Sequence, residues 1–341
     1  MLNKVYQLVR PRQFELVYKE LSLDKESVVV RPTYLSICNA DQRYYQGNRP
    51  ENVLKQKLPM ALIHEAVGEV VFDPAGSFAP GERVVMIPNT PVEKDPVVAE
   101  NYLRSSSFRA SGFDGFMQEY VSMGADRLLR LPELLDPRVA AFTEFVSVSF
   151  HAIERFKRFA NERRQRIGVW GDGNLGYVTC LLLKYLLPES EICVFGINEY
   201  KLHDFSFADY VIRCDVVPEG FSVDHAFECV GGSPSAAAIN QAIDLIAPEG
   251  TISILGVSEE YAPLNTRMVL EKGLRIFGSS RSGRADFEGL IALENKYPQI
   301  AGHLEKIVGA EITVQSIANA TTAFELDIHK IMGKTVMKWC I

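Results

Sequence analysis

The sequence predicts a two-domain α/β protein, in which a doubly wound parallel sheet is joined to a β-rich domain built from both chain ends. Three observations support this class. A short apolar strand, a glycine-rich turn and the start of a helix follow one another at residues 167–176. Residues 1–145 are rich in strand signals and poor in helix signals. Strands and helices alternate over residues 167–280, which is typical of a parallel sheet covered by helices.

The glycine-rich turn has the spacing of a dinucleotide-binding turn. In such a turn the first glycine makes the bend, the second lets the backbone approach a pyrophosphate, and the third lets the helix pack close to the strand. The N–H groups at the start of the helix then bind the anion. We therefore expect a bound cofactor at Gly171, Gly173, Asn174, Leu175 and Gly176.

The residues after the turn favour a nucleotide site over an ordinary glycine turn. Apolar residues recur at helical spacing from Val178 to Leu186, and Pro188 ends the run. A second strand signal follows at residues 191–195. A strand, turn, helix and strand within about thirty residues form a mononucleotide-binding unit. We therefore predict a Rossmann domain over residues 146–280.

The β-rich domain is expected to combine residues 1–145 and 281–341. Its strand signals lie at residues 27–32, 66–71, 83–87 and 334–339, and a helix signal lies at residues 286–296. The strands of the Rossmann domain are expected to start near residues 167, 191, 210, 223, 251 and 274.

Composition and charge exclude several classes of protein. The chain has 341 residues, of which 47% are hydrophobic and 23% are charged, and its formal net charge is −7. Because no basic stripe is present, we expect neither nucleic acid nor a membrane surface as a partner. No run is long and apolar enough for a membrane span or a signal peptide. The six cysteines form no CxxC pair, so a cytoplasmic location is expected rather than a disulfide framework.

Four side chains of the β-rich domain have the chemistry of zinc ligands: Cys38, His64, Glu65 and Glu144. Thiolate, imidazole and carboxylate groups bind catalytic zinc and leave one position for water or substrate. Glu144 lies in an apolar run, where a buried carboxylate is costly unless it is paired or bound to a metal. Spacing alone leaves an alternative, in which Cys38 and His64 are core residues and Glu144 caps a helix.

Several motifs together resemble those of the zinc-dependent medium-chain dehydrogenase/reductase family, especially its polyol-dehydrogenase branch. The similar segments are residues 38–41, 64–68, 114–121, 144–152, 227–231 and 248–253. Because these independent motifs occur in the family's order along nearly the whole chain, the resemblance is specific.

The resemblance implies that Cys38, His64, Glu65 and Glu144 hold a catalytic zinc in a GroES-like domain. Asp41 would accept a hydrogen bond from His64 and orient its ring, with a turn or cap residue as the alternative. The zinc would polarise a ketone so that a nicotinamide could deliver hydride to it. Family members are usually dimers or tetramers, and we expect a homodimer.

Two features depart from the family pattern. Many members carry a serine or threonine two residues after the metal cysteine, and a histidine nearby, as a proton relay. Here these positions are Ala40 and Arg43, so the proton is expected to come through water, Glu65 or a substrate hydroxyl. Residues 89–112 contain no cysteine, whereas the structural zinc of many relatives needs four thiolates there. We therefore predict one metal ion, not two.

The end of the second Rossmann strand favours NADPH over NADH. In NAD enzymes an acidic residue at this place binds the ribose and repels a 2′-phosphate. Here the residue is Gly196, and the cation Lys201 follows it. Two alternatives remain open. Glu199 could bind the ribose from a shifted loop, and Lys201 could be a solvated surface charge.

Arginines in segments that the family places near the pocket mouth suggest an anionic substrate. These are Arg43, Arg49 and Arg281, and Arg281 lies among glycines and serines at residues 278–283. A guanidinium and hydroxyl groups together could bind a phosphate. We predict Arg43 and Arg281 as substrate residues, with surface ion pairs as the alternative.

Residues 34–38, 42–45, 171–177 and 278–283 are similar to one group within the family, the Gram-positive enzymes that reduce ribulose 5-phosphate. That resemblance implies NADPH-dependent reduction of D-ribulose 5-phosphate to D-ribitol 5-phosphate. A cytidylyltransferase would then make CDP-ribitol for teichoic acid or capsule. The alternatives are an NAD-dependent polyol dehydrogenase of the sorbitol or xylitol type, and a zinc-free nucleotide-binding protein with a structural or regulatory role.

Overall fold

A computed structural model describes residues 1–23, 27–132 and 135–341 of the chain. The chain divides into two compact units, one formed by residues 1–147 with 282–341 and the other by residues 148–281. The expected boundaries, after residues 145 and 280, lie two residues and one residue before the observed ones. Both units contain strands and helices, and each has its own hydrophobic core.

In chain order, the elements up to residue 159 are β1 (Leu2–Arg10), β2 (Gln13–Glu20), β3 (Ser27–Ser36), α1 (Asn39–Tyr45), α2 (Glu51–Lys57), β4 (Met60–Ala61), β5 (Glu65–Phe72), β6 (Arg83–Met86), β7 (Asn89–Thr90), β8 (Ser107–Phe108), β9 (Val121–Gly124), β10 (Leu128–Arg130), α3 (Pro137–Ala140) and α4 (Thr143–Phe159). The middle of the chain forms β11 (Arg166–Trp170), α5 (Asn174–Leu186), β12 (Glu191–Gly196), α6 (Glu199–Leu202), β13 (Tyr210–Arg213), β14 (His225–Glu228), α7 (Ser235–Leu245), β15 (Thr251–Ile254), α8 (Thr266–Glu271) and β16 (Arg275–Gly278). The end forms α9 (Arg284–Lys296), α10 (Gln299–Glu305), β17 (Val308–Val314), α11 (Ile317–Ile328) and β18 (Lys334–Trp339). None of the helices in this described part of the chain is long and apolar enough to cross a bilayer.

The second unit is organised around a six-stranded parallel sheet with the strand order β13-β12-β11-β14-β15-β16. This is the order of a doubly wound Rossmann sheet, so the predicted fold class is confirmed. Every expected strand start lies within two residues of an observed one. The rings of Trp170 and Phe195 stack at 4.2 Å between β11 and β12, which packs the centre of the sheet close to the glycine turn.

The first unit is organised around a seven-stranded sheet with the order β10-β6-β5-β3-β18-β17, in which β9 also pairs with β3. The C-terminal strand β18 runs antiparallel to β3, with Val336 opposite Ser36. On its other side β3 pairs with β5. The last strand of the chain therefore completes a sheet that begins in the first forty residues, and β3 lies at its centre.

Within the first unit, an ion pair fixes the cysteine-free segment 89–112 to neighbouring parts of the chain. Arg127 is 5% exposed and donates hydrogen bonds to Glu100 Oε1 at 2.9 Å and to the carbonyl oxygen of Asn89 at 3.2 Å. The same oxygen of Glu100 accepts the backbone N–H of Arg284 at 2.8 Å. A single carboxylate therefore joins this segment to α9 and to a buried guanidinium.

Replacing Glu100 by glutamine should destabilise the first unit, because Arg127 and the N–H of Arg284 lose a charged acceptor. The loss of a charge-assisted hydrogen bond of this kind costs on the order of 2 kcal/mol, which urea unfolding can measure. Glu51→Gln is the matched control, since Glu51 pairs with exposed Lys55 at 2.6 Å and should lose less than about 0.5 kcal/mol. Equal losses in the two variants would contradict the role of Glu100.

His225 is a buried, neutral histidine in the core of the second unit. Its Nδ1 accepts the backbone N–H of Thr251 at 3.1 Å, and its ring packs edge-on against Phe156 at 5.0 Å. Burial lowers the pKa of His225 from 6.5 to about 4, and the nearby Asp224 opposes this only in part. Between pH 6.5 and pH 4, His225 is therefore neutral in the native state, whereas the same side chain is protonated in the unfolded chain.

This depressed pKa predicts a loss of stability in acid. The contribution of His225 is complete above pH 6.5 and is lost as the pH falls towards 4, because only the unfolded chain is protonated in that range. Between pH 7 and pH 5 the loss is about 2 kcal/mol. In urea unfolding at both pH values, His225→Gln should remove this part of the pH dependence, while the exposed control His203→Gln should retain it. Identical pH dependence in the two variants would contradict the prediction.

Candidate functional site

Three of the four predicted zinc ligands meet in the first unit. Candidate ligand atoms of Cys38, His64 and Glu65 all lie within 4.8 Å of one another. The pairing of β3 with β5 is the cause, because Ser36 lies directly opposite Glu65 in the register. The residues that follow β3 and precede β5 therefore lie at the same place. Cys38 is half-buried, whereas His64 and Glu65 are buried.

Asp41 links the cysteine segment to the histidine segment. Its Oδ2 accepts the backbone N–H of Cys38 at 3.2 Å, which caps α1. Its Oδ1 accepts the N–H of Ile63 at 2.9 Å and lies 3.6 Å from Nδ1 of His64. Burial lowers the pKa of His64, but the charges of Asp41 and Cys38 outweigh burial and raise it well above its usual range. Two roles were considered for Asp41, capping of a helix and orientation of the His64 ring. Its carboxylate caps α1 and also lies beside that ring.

Glu144 lies beside the three ligands, in the first turn of α4, and is 5% exposed. It is outside the 4.8 Å group. Burial raises the pKa of Glu144 to about 7, the charge of His64 opposes that rise, and the charge of Glu65 adds to it. The positive charge near Glu144 and Glu65 is therefore too small to keep both carboxylates ionised at low cost. A divalent cation would supply the missing charge.

Lys334, which sequence reasoning did not single out, is buried at the start of β18. Its Nζ donates a hydrogen bond to Glu65 Oε1 at 2.8 Å and lies 4.7 Å from the ring centre of Phe145. Among the described residues, the other carboxylate oxygen, Glu65 Oε2, is buried without a hydrogen-bond partner. Nothing in the sequence marks Lys334, because lysines are usually exposed and Glu65 is 269 residues away along the chain.

This donor set fits a zinc ion. A thiol, an imidazole and a carboxylate oxygen lie within 4.8 Å of one another, and each is a group that zinc binds in proteins. One oxygen of that carboxylate group has no hydrogen-bond partner among the described residues. A second carboxylate, that of Glu144, lies next to them. The arrangement can therefore hold one divalent metal ion through Cys38, His64 and Glu65, with Glu144 beside them.

In the second unit, the glycine turn is a tight bend in which two of the predicted glycines have no room for a side chain. Gly171 has a φ of 132°, and a Cβ there would lie 2.9 Å from a backbone carbonyl oxygen. A Cβ on Gly176 would lie 1.9 Å from the carbonyl oxygen of Gly171, so no other residue fits. A Cβ on Gly173 would meet nothing within 4 Å, which leaves open space beside the backbone. Asn174 and Leu175 then open α5, so all five predicted residues lie in one turn.

Gly196 ends β12, and the absence of a side chain there makes room for Asp172. A Cβ on Gly196 would lie 2.7 Å from the Cβ of Asp172. The carboxylate of Asp172, which projects from the glycine turn, accepts the N–H groups of Ile197 at 2.8 Å and Asn198 at 2.7 Å. Sequence reasoning missed this residue, although it lies between two of the predicted glycines. The loop after β12 is thus held by an acid of the turn.

Lys201 and Glu199 lie on the short helix α6. The Nζ of Lys201 is 5.9 Å from the ring centre of Tyr200, and the exposed carboxylate of Glu199 is 3.9 Å from Arg213. Arg213 is the last residue of β13, lies opposite Gly196 in the register, and also pairs with an aspartate two residues later at 2.6 Å. It is a second cation at this end of the sheet, and no sequence motif indicated it.

The predicted substrate residues belong to different units. Arg43 is half-buried on α1, in the unit that contains the metal ligands. Arg49 follows that helix, and its guanidinium carbon is 4.9 Å from the ring centre of Tyr44. Arg281 is the last residue of the second unit and has a φ of 59°.

Known proteins share this architecture and these segments. A family model described as an alcohol dehydrogenase GroES-like domain matches residues 24–133, and one described as a zinc-binding dehydrogenase matches residues 192–296. A curated relative, ribulose-5-phosphate reductase 1 of Staphylococcus aureus, is 56% identical over 339 residues that cover 99% of each chain. The chain belongs to the zinc-binding dehydrogenases. The predicted family is therefore confirmed.

Two further zinc-binding dehydrogenases are similar over their whole length. The ribulose-5-phosphate reductase of Bacillus spizizenii is 52% identical over 339 residues, which cover 99% of each chain. The crystal structure of S. aureus TarJ in complex with NADPH has a TM-score of 0.90 and 50% identity, and the match covers 100% of each chain. These relatives therefore share the amino-acid sequence along the whole chain, and not only the fold.

Bound zinc is expected to depend on Cys38. Cys38→Ser should weaken zinc binding by more than about 100-fold, because serine supplies no thiolate. Elemental analysis of dialysed protein would show near-stoichiometric zinc in the unmodified chain and almost none in the variant. Cys340→Ser, at an exposed cysteine, is the matched control and should keep its zinc. Retention of zinc by the Cys38 variant would contradict the assigned site.

Proposed function

We propose that this zinc-binding dehydrogenase reduces D-ribulose 5-phosphate to D-ribitol 5-phosphate with NADPH. The main support is full-length similarity. Four curated relatives that are 46–56% identical over at least 98% of their length are each named ribulose-5-phosphate reductase. The sorbitol dehydrogenase of Bacillus subtilis, in contrast, is 24% identical over 277 residues.

The residues of the first unit would perform the carbonyl chemistry. The metal ligands would be Cys38, His64, Glu65 and Glu144. When bound, zinc polarises the C2 carbonyl and NADPH supplies the hydride. Asp41 would orient the ring of His64, and Lys334 would hold one oxygen of Glu65. Because Ala40 supplies no hydroxyl on α1, the proton would come through water, Glu65 or a hydroxyl of the substrate.

The second unit would bind NADPH. Gly171, Gly173, Asn174, Leu175 and Gly176 would bind the pyrophosphate. Gly196 presents no carboxylate to repel a 2′-phosphate, and the cation Lys201 lies on the following helix. Arg213 lies opposite Gly196 on β13 and is paired with Asp215 and Glu199. The S. aureus TarJ structure, which is 50% identical, contains NADPH.

The chemistry of the product indicates a partner reaction. Ribitol 5-phosphate would be activated by a ribitol-5-phosphate cytidylyltransferase to CDP-ribitol, the donor for teichoic acid or capsule. We place both reactions in the cytoplasm.

For the assembly we propose a homodimer, since β16 is an edge strand of the parallel sheet and exposed edge strands favour pairing with a second chain.

The zinc-loaded enzyme should oxidise NADPH in the presence of ribulose 5-phosphate. With this ketose, kcat/KM for NADPH should exceed that for NADH by at least about tenfold, which corresponds to roughly 1.4 kcal/mol of selectivity. Removal of zinc by a chelator should abolish turnover, and added zinc should restore it. Faster turnover of free sorbitol or xylitol with NAD would instead identify a polyol dehydrogenase. A protein without zinc or turnover would be a nucleotide-binding protein only.

A further inference from the structure

Two cations of the first unit meet at one aromatic ring. The guanidinium carbon of Arg49 is 4.9 Å, and the ammonium of Lys57 is 5.9 Å, from the ring centre of Tyr44. Tyr44 is 2% exposed, and both cations are half-buried. Lys57 also donates a hydrogen bond to the hydroxyl of Ser111 at 3.0 Å. We call Arg49 and Lys57 the Tyr44 cation pair.

Lys57 is held in place by neutral groups. Its contacts are the Ser111 hydroxyl and the Tyr44 ring, and it makes no ion pair within the described part of the chain. Lys55, two residues earlier, behaves differently, because it pairs with Glu51 at 2.6 Å and is exposed. A half-buried ammonium with neutral partners retains its attraction for an anion. The guanidinium of Arg49 approaches the same ring.

Two segments connect the Tyr44 cation pair to the metal ligands. Tyr44 lies on α1, whose N-cap is Cys38, and six residues of helical rise separate the two by about 9 Å. On the other side, the ring of Phe108 lies 5.4 Å from the ring of His64. Ser111, three residues later, is the hydrogen-bond partner of Lys57. The segments that carry the cation pair and Ser111 are therefore continuous with those that carry Cys38 and contact His64, within the same unit.

This separation matches the length of a phosphorylated pentulose. From the carbonyl carbon C2 to the phosphorus, the extended chain of ribulose 5-phosphate spans about 6 Å. A metal–oxygen bond of about 2 Å adds to that reach. A ketose whose carbonyl oxygen faces Cys38 and His64 would thus extend its phosphate about 8 Å from the metal, which is comparable with the rise of α1 between Cys38 and Tyr44.

We propose that Arg49 and Lys57, with the hydroxyl of Ser111, form the site that binds the phosphate monoester of the substrate. The inference rests on the proposed function and extends it to a binding site. A guanidinium offers paired N–H donors to phosphate oxygens, and an ammonium adds a compact charge. Each cation also lies within about 6 Å of the centre of the Tyr44 ring, whose face attracts positive charge. The site explains how the enzyme would distinguish a phosphorylated ketose from a free one.

The test compares Arg49→Gln, Lys57→Gln and the double variant with the control Lys55→Gln. Each single change should raise KM for ribulose 5-phosphate by about 10- to 100-fold, since a charged hydrogen bond to phosphate is lost. The value of kcat should change little, so that kcat/KM falls mainly because KM rises. Lys57→Arg, which keeps the charge, should recover most of the loss. Lys55→Gln should leave KM unchanged, because Lys55 is exposed and paired with Glu51.

Direct binding separates a loss of phosphate recognition from a loss of folding. In calorimetry, the double variant should bind NADPH and zinc like the unmodified protein, but should lose binding of ribitol 5-phosphate. If KM for ribulose 5-phosphate is unchanged in both single variants, the proposal is wrong. It is also wrong if the loss is equal for ribulose 5-phosphate and free ribulose, or if Lys57→Arg recovers nothing.

A second measurement distinguishes failure of this site from failure of the proposed function. Millimolar inorganic phosphate should raise the Tm of the unmodified protein, because a ligand that binds only the native state stabilises it. The double variant should show no such shift. If the unmodified protein does not reduce ribulose 5-phosphate but shows this phosphate-dependent shift, the proposed substrate is wrong and the site stands. If both proteins shift equally, or neither does, the site is wrong.

Discussion

The pairing of β3 with β5 is the constraint on which the candidate active site depends. It brings the cysteine segment next to the histidine–glutamate segment, because Ser36 lies opposite Glu65. Three carboxylates are buried there with few compensating charges: Asp41, Glu65 and Glu144. Burying such groups together costs free energy unless positive charge lies close to them. Lys334 supplies part of it, and a divalent cation would supply the rest. The metal would thus stabilise the site as well as activate the carbonyl.

Positive charge is placed locally in a protein that is acidic overall. The net charge is −7, which by itself would repel both a phosphorylated cofactor and a phosphorylated sugar. In the first unit, Arg49 and Lys57 both lie close to the ring of Tyr44. In the Rossmann unit, Arg213 lies opposite Gly196, and Lys201 lies on the next helix. Each unit therefore has basic side chains of its own, although Arg213 is paired with Asp215 and Glu199.

Both units use buried or partly buried carboxylates in a structural role. Glu100 connects residues 89–112 to Arg127 and to the start of α9, in a segment without thiolates for a metal. Asp172 holds the loop after β12 through two backbone N–H groups. In both places one carboxylate accepts several hydrogen bonds, which fixes the position of the backbone around it.

The sequence by itself determined the fold class, the Rossmann glycine turn and the residue types of the metal site. These features depend on local patterns, namely the periodicity of apolar residues, the steric limits on Gly171 and Gly176, and the chemistry of thiol, imidazole and carboxylate groups. Only the tertiary structure decided that Lys334 reaches Glu65, that Asp172 fills the space beside Gly196, and that Lys57 joins Arg49 at Tyr44. The first contact joins residues 269 positions apart through strand register, and the other two depend on how side chains of nearer segments pack, so no local pattern predicts them.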